Sequence, residues 1–136
     1  MDESRSKGVV ISEILFIILP LIIIVIYLFI QKSTISIFYK SDWTFASIVL
    51  FGQSIIKFTS GLIKSNMKFH WQKVALILSF LIVIGLIPAT IVLILILGSP
   101  SISLRLVVLQ MVVFIVSVLV YFFIGSTGQL YLDKEE

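Results

Sequence analysis

The 136-residue chain has no cysteine, one histidine (His70), three prolines and only 12% charged residues. Each shortage excludes something. Without cysteine there is no disulfide, no thiolate metal site and no cysteine nucleophile. A lone histidine cannot build a metal centre, and seven acids leave little material for acid–base chemistry. A soluble domain carries charge on about a quarter of its residues, far above the share here. Disorder needs low hydrophobicity, whereas 60% of this chain is apolar. With a mean hydropathy of +1.22, the composition reads as a small integral membrane protein without cofactor or metal.

Four apolar stretches stand out, over about 9–30, 43–63, 74–97 and 104–124. A spanning helix needs roughly 20 predominantly apolar residues, whereas transmembrane strands are about 10 long and alternate in polarity. The runs are long and continuous, so they predict helices. The expected fold class is an all-α integral membrane protein. Four transmembrane helices form one antiparallel bundle over residues 1–136. Arg5 and Lys7 precede the first run as in a signal peptide. That run exceeds the roughly 7–15 residues of a signal core, and no small-residue cleavage site follows it, which predicts a retained helix.

An even number of spans puts both termini on one side. Arg5, Lys7, Lys64, Lys68, Lys73 and Lys134 lie on that side, against Lys32, Lys40 and Arg105 on the other, with Lys57 inside a span. The positive-inside rule then predicts both termini in the cytoplasm. Compact size and the lack of a sorting tail point to a bacterial plasma (inner) membrane. Gly98 and Pro100 predict a tight break that makes the third and fourth helices antiparallel neighbours. Thr34 to Tyr39 alternates in polarity, which fits a short strand or a segment lying on the outer interface. Phe38, Tyr39 and Trp43 belong at headgroup level. Pro20 and Pro88 fall inside spans, where each removes a backbone donor.

The second span carries most of the information. Taking ~100° per residue with Lys57 at zero, Gln53 falls at roughly −40°, Ser60 at −60°, Gly61 at +40° and Ser54 at +60°. Polar and small residues thus share a stripe, which must turn away from lipid. A lysine at the bilayer centre costs about 2.5–3.5 kcal/mol. Three readings of Lys57 stay open: it snorkels to the interface, it pairs with a carboxylate inside one bundle, or it faces a lumen shared by several subunits. The stripe as a whole also fits helix packing, because Ser, Thr, Gln and Gly are common at membrane helix contacts. The fourth helix offers a matching face in Gln110, Phe114, Ser117 and Tyr121, ending near Gly125 and Gly128, with Gln110 a potential partner of Gln53.

Lys64, Lys68, His70 and Lys73 interleave with Phe69 and Trp71. They read as topology charge with an aromatic anchor, or as a site for an anionic lipid, nucleotide or oligonucleotide. Lys57 belongs to the same basic set. Nothing points to readout of double-stranded nucleic acid. Glu13 opens the first span, where it serves as an interfacial acid or a partner for a basic residue of the rim. Catalysis is not expected: Ser54 or Ser60 beside Lys57 has no oxyanion hole or substrate cleft in view.

These residues predict a homo-oligomeric channel or pore subunit embedded in lipid. Gln53, Ser54, Lys57, Ser60, Gly61 and Lys64 line the axis. Lys57, Lys64, Lys68, His70, Trp71 and Lys73 receive an anionic ligand or a cytosolic regulatory protein. Such a subunit suits an effector that depolarises the cell. The alternatives are a non-conducting accessory or scaffold subunit that docks a partner, and a small proton-coupled transporter that depends on Glu13.

Overall fold

The computed structural model describes residues 2–32, 34–65, 68 and 70–133. Among these residues the structure is helical and contains no strand. Helix α1 (Asp2–Ile30) runs unbroken through Pro20. A 3-10 turn (Thr34–Tyr39) leads into α2 (Asp42–Lys64). The third long helix comprises α3 (Trp71–Phe80), a π segment (Leu81–Leu86) and α4 (Ile87–Gly98). The fourth comprises α5 (Leu104–Val120), a second π segment (Tyr121–Gly125) and α6 (Ser126–Asp133). Four helices, Ser4–Ile30, Asp42–Lys64, Trp71–Gly98 and Leu104–Asp133, are long and apolar enough to cross a membrane.

The expected spans are therefore present but longer at their ends. The fourth helix continues past residue 124 to Asp133, because its polar last turns still pack against α2 and α1. The expected strand over Thr34–Tyr39 is a 3-10 turn instead. Ile37 is buried, and the turn's carbonyls accept hydrogen bonds from the bundle: Trp43 Nε1 donates to Ile37 O at 2.9 Å, and Gln110 Nε2 donates to Phe38 O. A strand would have lacked a partner for those groups. Lys32, at φ 56°, closes α1 in the left-handed conformation common at helix C-termini.

Helix α2 is the hub. It packs against α1, α4, α5 and α6, and its buried face runs through Thr44, Ser47, Leu50, Phe51, Ser54, Phe58, Gly61 and Leu62. The other helices bury only a narrow stripe and present large apolar residues outward, among them Phe16, Ile23, Ile84, Ile94 and Ile115. That distribution suits lipid surroundings. The core joins Val10, Ile14 and Leu21 of α1 to Ala46 and Leu50 of α2 and to Phe114 and Tyr121 of the fourth helix. A second cluster at the other end joins Phe58, Leu62 and Val74, with Tyr131 against it.

Two close approaches set the helix spacing. A Cβ at Gly128 would lie 2.6 Å from the Lys57 carbonyl oxygen and 2.8 Å from the Phe58 nitrogen, so α6 touches α2 backbone to backbone. Gly61 meets the Gly128 carbonyl in the same contact. Gly85 makes room for the Phe51 ring, with only 2.6 Å between its would-be Cβ and Phe51 Cδ1. Gly85 sits in the π segment just before Pro88. Proline offers no N–H to the preceding turn, and a wider turn is one way a helix absorbs that loss.

Candidate functional site

The most unusual side-chain arrangement joins three helices about a third of the way into the bundle. Lys57 of α2 donates through Nζ to Glu13 Oε2 of α1. The hydroxyl of Tyr121, the first residue of the second π segment, donates to the same oxygen. Lys57 Nζ also stands 6.0 Å from the centre of the Tyr121 ring, at the limit of a cation–π contact. Burial is graded across the cluster: Tyr121 is 1% exposed, the Lys57 side chain 11% and the Glu13 side chain 39%. The pair therefore sits at the α1–α2 seam and opens outward on the Glu13 side.

This geometry corresponds to the second of the three readings of Lys57, an ion pair within one bundle. Glu13 is its partner, rather than a residue of the rim. The physical reason is depth. Glu13 lies about three turns into α1, whose start projects beyond α2, and Lys57 about two turns from the end of α2, so antiparallel neighbours bring them to one level.

The rest of the stripe divides. Ser54 is fully buried inside the chain's own bundle and donates to Leu50 O at 2.8 Å; Ser47 donates in the same way to Trp43 O. Gly61 is buried against Gly128. Ser54 and Gly61 thus face neighbouring helices of the same chain and not an external axis. Gln53, Ser60 and Lys64 are exposed on the outer side of α2, alongside Val49, Ile56 and Ile63. Gln53 is the middle residue of α2, and among the described residues its side-chain amide forms no hydrogen bond.

Gln110 does not meet Gln53. It is fully buried, accepts from Thr44 Oγ1 at 3.0 Å and donates to Phe38 O. Thr44 lies on the inner face of α2, opposite to Gln53, and the sequence reading did not single it out. The network ties the 3-10 turn to α2 and α5, and Trp43 covers it, stacked on Phe38 at 6.3 Å and edge-on to Phe114 at 5.0 Å. Gln110→Leu strands the Thr44 hydroxyl and the Phe38 carbonyl. It is expected to cost about 1–3 kcal/mol and to shift Trp43 fluorescence as the turn loosens. An unchanged spectrum and stability would refute the network's role.

The basic rim lies at the end of the molecule where α2 finishes and α3 begins. Lys64, Lys68, His70, Trp71 and Lys73 are all exposed there. Phe69 and Met67, which the sequence places between them, and Lys134, counted with the same side, lie outside the described residues. Ser6 Oγ donates to Ser126 O at 2.8 Å, which brings the start of α1 and the end of the fourth helix to this same end.

No protein-family model, curated protein or solved structure matches the chain. The functional reading therefore rests on this geometry.

Proposed function

We propose that the chain is the subunit of a homo-oligomeric membrane channel with both termini in the cytoplasm, whose outward α2 strip of Gln53, Ser60 and Lys64 turns toward the assembly axis. The observation that carries this reading is Gln53. A carboxamide at mid-span, exposed and without a partner among the described residues, would cost several kcal/mol if it faced lipid. Another copy or a water-filled lumen removes that cost. A groove of about 320 Å³ between α1 and α2, lined by Phe16, Pro20, Phe45 and Val49, adjoins the strip and suits a neighbouring helix. The strip carries Lys64, Ser60 and Gln53 beside Ile63 and Ile56, and is wholly apolar beyond Gln53 at Val49 and Phe45. That pattern suits a pore held shut by a dry constriction. The basic rim then forms the cytoplasmic mouth, where an anionic ligand or regulatory protein acts.

The test is conductance of purified protein in planar bilayers, together with its mass in mild detergent. Wild type is expected to be oligomeric and to give stepped currents. Gln53→Leu is expected to abolish or strongly reduce them, and Gln53→Asn to retain them. A monomeric wild type without current, unaltered by either substitution, refutes the proposal. Because Lys57 is already engaged by Glu13, a second reading is also supported: a non-conducting scaffold whose polar stripe is helix contact. It predicts an oligomer or partner complex that Gln53→Leu weakens, with no ion flux.

A further inference from the structure

Two charged residues stand at the end of the bundle opposite the termini. Asp42 opens α2, and Arg105 is the second residue of α5. Among the described residues neither side chain takes part in an ion pair or hydrogen bond. Asp42 is also the single acid at that end, since the other six fall within residues 2–13 and 133–136. A cation in the first turn of a helix opposes the helix dipole, so α5 itself does not favour Arg105.

Each charge heads an exposed apolar face. Asp42 borders the groove between α1 and α2, followed along α2 by Phe45 and Val49. Arg105 borders a shallow depression of about 400 Å³ on α5, with Leu104, Val108 and Val112. Asp42, Phe45 and Val49 follow the spacing i, i+3, i+7, and so do Arg105, Val108 and Val112. The buried residues of these turns, Thr44 and Ser47 on α2 and Gln110 and Phe114 on α5, lie on the far side of each helix. The two faces therefore look away from each other, and one chain cannot bring them together. Their depths do match. Thr44 Oγ1 donates to Gln110, which sets those residues level on helices that run the same way. Asp42 stands two residues before Thr44 and Arg105 five before Gln110, a difference of three residues or roughly 4.5 Å. An arginine side chain spans that distance.

We propose that a second copy of this chain docks here head to tail. The α5 face of one copy seats in the α1–α2 groove of the next, and Arg105 of the first pairs with Asp42 of the second. Copies inserted with one topology hold both residues at the same membrane level, and unlike faces on different helices repeat from copy to copy. The contact covers Phe45 and Val49 and ends a turn short of Gln53, so it leaves the polar part of α2 to the axis. This inference rests on the homo-oligomeric reading above and names its contact.

The mass of the full chain in mild detergent, measured by light scattering across a dilution series, tests it. Asp42→Arg sets two guanidinium groups against each other at every contact, and Arg105→Asp sets two carboxylates. Each is expected to weaken assembly by roughly tenfold, with helicity unchanged. The double variant, Asp42→Arg with Arg105→Asp, restores the pair in reverse and should assemble like wild type. Lys32→Asp, an equal change of charge at the same end, should leave assembly unaltered. The chain has no cysteine, so a short thiol cross-linker should join a Phe45→Cys chain to a differently tagged Val108→Cys chain. A monomeric wild type overturns this contact together with the assembly reading. A wild-type oligomer overturns the contact alone if it persists in both charge reversals, if the double variant stays dissociated, if Lys32→Asp weakens it equally, or if the two cysteine chains are not joined.

Discussion

Replacing Glu13 by alanine is expected to lower the stability of the bundle by about 3 kcal/mol, the lower end of the cost of stranding a buried charge, because Lys57 is 11% exposed while Glu13 is 39% exposed. Lys57 would keep its charge at the α1–α2 seam with no acceptor, and Tyr121 would lose the oxygen that receives its hydroxyl. The size of the effect comes from the stranded ammonium, and not from the net worth of the pair. Glu13→Ala combined with Lys57→Met is therefore expected to be less damaging than Glu13→Ala alone. Tyr121→Phe removes one hydrogen bond and should cost only about 1–2 kcal/mol. Unfolding in mixed micelles with rising denaturing detergent, followed by circular dichroism, measures these three and Lys57→Met alone, which completes the cycle. A double variant that is as unstable as the sum of its single changes would show that Glu13 and Lys57 do not interact.

Gly128→Ala is expected to be comparably severe, about 3 kcal/mol. Overpacking is tolerated when a flexible side chain can move aside. Here the atoms in the way are the Lys57 carbonyl and the Phe58 nitrogen, both fixed in a continuous helix. The added methyl must push α6 away from α2, and Gly61 on the facing helix sits in the same contact. Gly52 and Gly98 provide the control, because nothing lies within 4 Å of a Cβ at either position. Alanine at Gly52 should leave the midpoint of unfolding unchanged or raise it slightly, since helix propensity favours alanine. Equal midpoints for Gly128→Ala and Gly52→Ala would rule out the close approach.

The loss of either contact bears on function through the same helix. Glu13 holds Lys57 at the edge of α2, and Gly128 holds the inner face of α2 against α6. Together they fix the rotation of α2 about its axis and so decide that Gln53 points outward. Glu13→Ala is thus expected to disturb the proposed assembly as well as stability, whereas Gly52→Ala should affect neither.

The four helices were legible in the sequence, because runs of this length and continuous apolarity leave few alternatives to helix. The polar stripe of α2 was legible too, as was the face of Gln110, Phe114, Ser117 and Tyr121, three of which are buried at 1% exposure or less. Their partners were not. Periodicity gives the angle of a residue around its own axis but not the rotation of that axis relative to its neighbours. A stripe roughly 120° wide therefore looks like one functional surface. In the folded chain its two edges have opposite fates: Ser54 and Gly61 turn into the bundle, and Gln53 and Ser60 turn out.

The sequence by itself determined a membrane-compatible, all-helical chain with four long apolar spans, a basic end and a second span richer in polar residues than the rest. Those follow from composition and spacing, which act locally. Only the tertiary structure decided that Glu13 is the partner of Lys57 and that Gln110 holds the 3-10 turn through Thr44 and Phe38. Each of these joins residues far apart in the chain, and their meeting depends on how far one helix slides and turns against another. Here the backbone contact at Gly128 and the shared depth of Glu13 and Lys57 set that register.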